Sequence, residues 1–350
     1  MERPNKSPVV VDLFCGAGGL THGFVKEGIP VSAGIDLDPE CHYPFERNND
    51  SRFILKDVNE MSGDELRDLY PPNSIKILAG CAPCQPFSSY THRRDAREDD
   101  RWGLLYSFGR LVREVEPEIV TMENVPRLKN HEVYADYVKG LEDLEYHVTT
   151  YVVYCPQYGI PQTRRRLVLF ASRFGEIKLV PPTHGENSYV TVRDAIGHLE
   201  PLVAGGRSKT DPLHWASTLS ERNLERIRAA HPGGSWRDWP EELVANCHKD
   251  ERGQKYGSVY GRMKWAEPAP TITTQSTGFG NGRFGHPEQD RAISLREAAL
   301  LQTFPEDYEF IEPGEPFVLK RLNVLIGNAV PVVLGRVVAR SIKKHLAEAL

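Results

Sequence analysis

Cys81-Ala-Pro-Cys84, Glu123-Asn124 and Gln162-Thr-Arg-Arg-Arg166 are the residues whose types and spacing could do covalent and acid–base chemistry. A Cys-x-x-Cys pair can be a redox couple, half of a zinc site, or a nucleophile beside a bystander. The zinc reading lacks partners: there is no second Cys-x-x-Cys, and Cys155 and Cys247 stand alone. The redox reading is weakened by Pro86, which would obstruct a helix running straight out of the pair. A carboxylate such as Glu123, held at a strand end in a closed pocket, could share a proton with a substrate ring nitrogen. On a strand entering at Arg164, Arg164 and Arg166 point to one face and Arg165 to the other. His92-Arg-Arg94 and the stretch from Arg97 to Arg101 follow the cysteines in a polar loop, which suits a lid that contacts phosphates.

A second constellation could hold a ligand. Phe14-Cys15-Gly16-Ala17-Gly18-Gly19 joins a predicted strand to a predicted helix, and glycines there let a ligand approach backbone amides at a helix start. Asp36 closes the next strand and Asp57 follows another. An acid so placed bonds ribose hydroxyls in dinucleotide folds. The spacing is G-x-G-G rather than G-x-G-x-x-G, so the turn with its two aspartates points to an adenosine-containing cofactor, not specifically to a dinucleotide.

The elements that must position these residues alternate. Strands are expected at Val9 to Phe14, Val31 to Ile35, Phe53 to Leu55, Ile75 to Ala79, Glu118 to Met122 and Leu167 to Phe170. Helices are expected at Leu20 to Glu27, Asp64 to Tyr70, Leu104 to Val115 and Val133 to Leu144. This alternation predicts an α/β domain with a largely parallel sheet, whose ligands lie outside the carboxyl ends of the strands. From Val180 to about Asp290 the pattern gives way to a loop-rich second domain. A last helix has Asn328 as its cap, Pro331 in its first turn, and Leu334, Val337 or Val338, Ile342 and Leu346 on one face.

The 350 residues are 40% hydrophobic and 26% charged, which excludes a disordered, coiled-coil or collagen-like chain. No uninterrupted run of about 18 apolar residues predicts a transmembrane helix. The polar N-terminus leads into Val9-Val10-Val11, too short for a signal-peptide core, so the expected location is the cytoplasm. Six cysteines make no disulfide scaffold. With 43 basic against 48 acidic side chains the net charge is −5, so composition carries no nucleic-acid footprint, although a local basic groove can sit on an acidic protein.

In this order the motifs resemble the cytosine-5 DNA methyltransferases. The likeness is carried by Val11-Asp-Leu-Phe-Cys-Gly-Ala-Gly-Gly-Leu20, Gly80-Cys-Ala-Pro-Cys-Gln-Pro-Phe-Ser88, Glu123-Asn-Val125 and Gln162-x-Arg-x-Arg166. Further along come Pro268-Ala-Pro-Thr-Ile-Thr-Thr274, Arg296-Glu-x-x-x-Leu-Gln-Thr-Phe-Pro305 and Gly327-Asn-Ala-Val-Pro331. The blocks run through nearly the whole chain and look like the compact bacterial, restriction-modification form.

The resemblance implies a Rossmann-like S-adenosylmethionine-dependent domain over 1–182 and 322–350, with a smaller irregular target-recognition domain and hinge over 183–321. It implies that the cytosine is flipped out of the duplex and that Cys84 attacks ring carbon 6, leaving Cys81 a bystander. Glu123 would contact ring nitrogen 3 and the exocyclic amine. Arg166 would hold the base carbonyl and orient Glu123, with Arg164 and Gln162 in support. Phe14, Gly16, Ala17, Gly18, Gly19, Leu20, Asp36, Leu37, Asp57, Val58, Pro83, Asn328, Ala329 and Val330 would form the cofactor pocket. Gln85, Ser88, Arg165, Thr273, Thr274 and Arg283 would meet DNA, with Asn281 and the loop from Thr271 to Thr277 in the groove-reading region. The implied partners are double-stranded DNA and a restriction endonuclease acting independently on the same site. The implied state is a monomer in a bacterial cytoplasm, near the nucleoid, that uses no metal. Two rivals stand beside this reading: a tRNA cytosine-5 methyltransferase, which the full variable region argues against, and a thiol-disulfide oxidoreductase using Cys81 and Cys84.

Overall fold

A computed structural model of the chain describes residues 7–83 and 103–350. It divides into two compact units. The first comprises Met1–Tyr154, Arg165–Pro182 and Val330–Leu350; the second comprises Cys155–Arg164 and Thr183–Ala329.

The first unit is built on a seven-stranded sheet. Its strands are β1 (Pro8–Leu13), β2 (Val31–Asp36), β3 (Arg52–Leu55), β4 (Ile75–Gly80), β5 (Ile119–Asn124), β6 (His147–Tyr154) and β7 (Arg165–Ser172). The spatial order is β3-β2-β1-β4-β5-β7-β6. Strands β1 to β5 are parallel, and β7 runs antiparallel to both β5 and β6. The largely parallel α/β sheet expected from the alternation is therefore present. Val10, Val11 and Leu13 of β1 are completely buried, as the β-branched run of an interior parallel strand should be. Five helices follow the first five strands or their connections: α1 (Gly19–Lys26), α2 (His42–Asn49), α3 (Gly63–Arg67), α4 (Gly103–Val115) and α5 (Glu132–Glu142). In α4, Leu105, Phe108, Leu111, Val112 and Val115 make the buried stripe that joins the core.

The second unit holds α6 (Val192–Ile196), α7 (Glu221–Ala229), α8 (Leu295–Leu301) and α9 (Leu319–Asn328) among long loops. Such loops leave many carbonyls without ladder partners. Buried Arg262 satisfies several of them, donating to the carbonyls of Ile227, Ala230, His286 and Gln289 and pairing with Asp290. An apolar cluster of Ile227, Trp236, Trp239, Val259 and Phe279 lies beside it.

Several sequence expectations change. Strand β6 was not foreseen. Glu123 and Asn124 lie inside β5, not beyond it. Strand β7 begins at Arg165, so Arg164 is not on it. The C-terminal region is two helices: Asn328 ends α9, and α10 (Val332–Ala349) starts after Pro331, which occupies its cap position. The apolar face foreseen for α10 is buried at Leu334, Val337, Val338, Ile342 and Leu346. The return to the first unit falls at Val330 rather than at 322. The reason is that the Gln302 side-chain amide donates to the carbonyls of Ile326 and Ala329, tying the end of α9 into the second unit. The stretch Leu319–Ala349 contains an 18-residue window of mean hydropathy 1.7 and is long and apolar enough to cross a membrane, yet 78% of that window is buried inside the fold. That is the behaviour of core helices.

Candidate active site

Because β1 to β5 are parallel, their carboxyl ends share one edge of the sheet. Phe14 and the glycine turn, Asp36, Asp57, Cys81 to Pro83, and Glu123 all lie along it. Strand β7 runs the other way, so its first residues reach the same edge: Asn124 pairs with Leu167 and Glu123 with Val168. The antiparallel strand thereby delivers Arg166 to Glu123. Arg166 Nε lies 2.9 Å from Glu123 Oε1, with the carboxylate side chain only 4% exposed. A parallel strand at this place would have put its far end there instead.

The other carboxylate oxygen is also engaged. Cys81 Sγ donates to Glu123 Oε2 at 2.9 Å. Asn124 Nδ2 donates to the Ala82 carbonyl at 3.2 Å, and Cys81 N continues the β1–β4 ladder to the Leu13 carbonyl. The segment from Cys81 to Ala82 is thus held from both neighbouring strands. Cys81, expected to be a bystander, touches the central carboxylate. Cys84, Gln85, Ser88 and the basic stretch from His92 to Arg101 lie outside the described residues.

The glycine turn has an unusual backbone. Phe14, Gly16 and Gly18 take left-handed φ values of 57°, 53° and 86°. A non-glycine residue at such an angle is strained, which marks a site held by its surroundings. A side chain on Gly16 would meet nothing within 4 Å, so the space beside it is open. Gly16 N donates to Asp36 Oδ2 at 2.9 Å and Asp38 N to Asp36 Oδ1 at 3.0 Å. Burial nevertheless raises the Asp36 pKa above the ordinary value. Next to it Leu37 is 63% exposed, an apolar side chain without a cover. Ala17, Gly19 and Leu20 are buried. Asp57 caps a short turn by accepting from Asn59 N at 2.9 Å, the Val58 side chain belongs to the core, and Pro83 is exposed.

Behind the turn stands Asp12, which sequence reading left without a role. It is fully buried, and its Oδ2 accepts from Thr21 Oγ1 at 2.6 Å, closing β1 onto α1. Oδ1 has no hydrogen-bond partner among the described residues. Burial, helped by the charge of Asp36 and opposed by Thr21, pushes its pKa up to about 7. A lone acid inside an apolar β-branched strand was the signal that could have found it.

Other expected site residues fall in the second unit. Gln162 is fully buried there, its Nε2 donating to the Leu301 carbonyl and to Gln302 Oε1, its Oε1 accepting from Ile272 N. Arg164 donates to the Ile272 carbonyl at 3.2 Å. Thr163 N and Ala269 N complete a short ladder between the two segments. Both side chains thus support main chain of the loop that follows Ala269. The same loop presses on Gly327: a Cβ on that glycine would stand 2.5 Å from the Thr273 carbonyl oxygen. Asn328 and Ala329 belong to this unit, Val330 to the first. Thr273, Thr274 and Arg283 are partly exposed and Asn281 is exposed, whereas Ser276 and Thr277 turn inward to Asn323. Arg165, in the first unit, is exposed with its guanidinium 4.3 Å from the centre of the Tyr154 ring.

Comparison with known proteins adds an independent line. A family model described as C-5 cytosine-specific DNA methylase matches residues 9–344. The chain is 58% identical over 340 residues to the Type II methylase M.HgiDII of Herpetosiphon aurantiacus, covering 96% of this chain and 95% of that protein. It is 32% identical to the Type II methyltransferase M1.HphI of Haemophilus parahaemolyticus, covering 95% of this chain and 86% of the relative. In fold it is similar to the Entamoeba histolytica methyltransferase EhMeth, with a TM-score of 0.65 at 16% identity, covering 98% and 99% of the two chains.

Proposed function

The chain belongs to the C-5 cytosine-specific DNA methylase family and is a DNA cytosine-5-methyltransferase, and from that premise we propose how its residues divide the work. The substrate is a cytosine flipped out of a specific short duplex sequence, since the reacting carbon is out of reach inside the stack. The Cys84 thiolate adds to ring carbon 6, and the displaced electron pair makes carbon 5 nucleophilic. Glu123 holds ring nitrogen 3 and the exocyclic amine and stabilises the charge that develops on the ring. Arg166 keeps Glu123 in place and holds the base carbonyl. Once carbon 5 has lost its proton to a base, the electron pair returns and the Cys84–carbon 6 bond breaks.

S-adenosylmethionine, when bound, supplies the methyl group that carbon 5 receives. The residues fit it: the open space beside Gly16, the Asp36 carboxylate for ribose hydroxyls, and the uncovered Leu37 for the adenine face. Phe14, Ala17, Gly18, Gly19, Leu20, Asp57, the Val58 main chain, Pro83 and Asn328-Ala329-Val330 complete the holding set. Gln162 and Arg164 support the reaction through the loop they carry. Gln85, Ser88, Arg165, Thr273, Thr274 and Arg283 contact DNA. The first unit is the catalytic domain and the second reads the target.

The observation that carries this reading is the buried Glu123 carboxylate gripped by Arg166 at the carboxyl edge of the sheet. The relatives' description as Type II methylases supports a role in protecting host DNA from an endonuclease that reads the same site independently. The enzyme acts as a monomer in the bacterial cytoplasm.

The test is bisulfite mapping of DNA from cells expressing this chain or its Cys84→Ser variant. Methylcytosine confined to one short motif and absent from the variant is the expected result. Methylation that persists in the variant would remove Cys84 from the mechanism. Methylated tRNA with unmodified DNA would overturn the substrate.

A further inference from the structure

We propose that Cys81 is a positioning residue for the reaction, its thiol fixing Glu123 from the side opposite Arg166. The proposal rests on the reading of Glu123 given above and deepens it. Glu123 Oε1 faces Arg166 Nε at 2.9 Å, and Oε2 accepts from Cys81 Sγ at 2.9 Å. A carboxylate held by one partner can still turn about its last side-chain bond. With the Arg166 charge beside Oε1, an ion pair without hydrogen-bond geometry, the Cys81 thiol supplies the directional contact that restrains the plane, and with it the directions left for a cytosine ring nitrogen and amine. Pre-set geometry of this kind removes reorganisation at the moment of reaction.

The anchor of the thiol is itself firm. Cys81 N is hydrogen-bonded to the Leu13 carbonyl at the end of the β1–β4 ladder, and the Ala82 carbonyl accepts from Asn124. The strand that carries Glu123 therefore grips the loop leading to Cys84 at two points, one through each of two successive residues. A hydroxyl can replace the thiol as donor, and a methyl group cannot.

As a donor to Glu123, Cys81 has a role distinct from the nucleophilic one proposed for Cys84. Cys81 neither gains nor loses a bond in the cycle.

The experiment uses the full chain with Cys81→Ala, Cys81→Ser, Glu123→Gln, and the Cys81→Ala/Glu123→Gln double variant. Steady-state and single-turnover methylation of target duplex DNA are measured with labelled S-adenosylmethionine, and cofactor affinity by calorimetry. Cys81→Ala is expected to lower kcat and the single-turnover rate on the order of tenfold, the scale of one lost hydrogen bond to a charged group. KM and cofactor affinity should stay within about twofold, because the interaction acts in the chemical step. Cys81→Ser is expected to recover most of the rate. On the Glu123→Gln background, Cys81→Ala should add little, since partners in one contact are not additive.

A Cys81→Ala enzyme with parental kcat, beside a slow Glu123→Gln enzyme, would overturn the clamp and leave the Glu123 reading intact. A fully active Glu123→Gln enzyme would overturn that reading instead. Equal loss in Cys81→Ala and Cys81→Ser, or a loss confined to cofactor affinity, would mean that Cys81 serves the fold or the cofactor and not Glu123.

Discussion

Two carboxyl groups flank the glycine turn in different surroundings. Asp36 holds two main-chain amides at the edge of the sheet, while Asp12 is sealed behind it with one hydroxyl partner. Burial lifts Asp12 from an ordinary 3.8 to about 7. In the unfolded chain it ionises near pH 4; in the folded chain it keeps its proton to about pH 7. The unfolded state thus binds fewer protons across that window, and Asp12 makes stability fall as pH rises from about 4 to about 7. Asp12→Asn is expected to flatten that fall, read from urea midpoints at a series of pH values. An unchanged slope would mean that another group titrates there. The Glu123 and Arg166 partnership was legible because residue type, order and strand position agree. The Cys81 contact was not: a sequence shows which residues follow one another, not which side chain a thiol will face. Gln162 and Arg164 were legible as a motif, but their duty as props for main chain needed the packed loop.

Helices α1 and α10 meet through glycines. A Cβ on Gly23 would stand 2.6 Å from both Gly335 Cα and Arg336 N, and one on Gly335 would stand 2.9 Å from the Leu20 carbonyl oxygen. Both obstacles are main chain, which cannot rotate aside. Gly23→Ala is expected to cost about 1–3 kcal/mol, the range for overpacking, and to weaken cofactor binding by displacing the turn that α1 begins. Gly140 in α5 is the control: a Cβ there meets nothing within 4 Å, so Gly140→Ala should stabilise by about 0.5–1 kcal/mol. Chemical denaturation of the two variants decides between packing and helix propensity. Parallel strands such as β1 were legible because both faces are buried and the run is apolar but for Asp12. Strand β6 was not, because only Val153 along it is buried and its threonines and tyrosines give no clean alternation.

The units differ in how they respond to acid. In the second unit burial lowers the pKa of His286 to about 4, so it stays neutral where an unfolded histidine would already bind a proton. Its contribution is present above about pH 6.5 and is lost as pH falls toward 4. Burial resists ionisation of Glu297 and Asp211, but Arg291 and Arg296 outweigh it and hold both below their ordinary values of 4.5 and 3.8, so their contribution is lost only in stronger acid and stays in place down to pH 5. Asp12 pulls the first unit the other way. Acidification from pH 7.5 to pH 5 should therefore lower the melting temperature of the second unit more than that of the first. Four of the five tryptophans, Trp215, Trp236, Trp239 and Trp265, belong to the second unit, so in a Trp102→Phe variant the fluorescence follows that unit. Far-ultraviolet dichroism follows both, and coincident transitions at pH 5 would refute the difference. The existence of a second, irregular domain was legible from glycine-rich stretches. Its claim on Cys155–Arg164 was not, because the ladder to Ala269 joins residues far apart in sequence.

The first unit closes on itself only when α10 packs against α1, and every residue of the second unit precedes α10 in the chain. During synthesis, then, the glycine turn and its aspartates leave the ribosome long before the helix that backs them. The nascent chain must carry an unfinished sheet while the second unit is made. Methylating capacity would arise in one late step instead of growing with chain length. Ribosomes stalled just before Val330 would release chains that carry every residue of the second unit but lack the helix that completes the first, able at most to occupy DNA without modifying it.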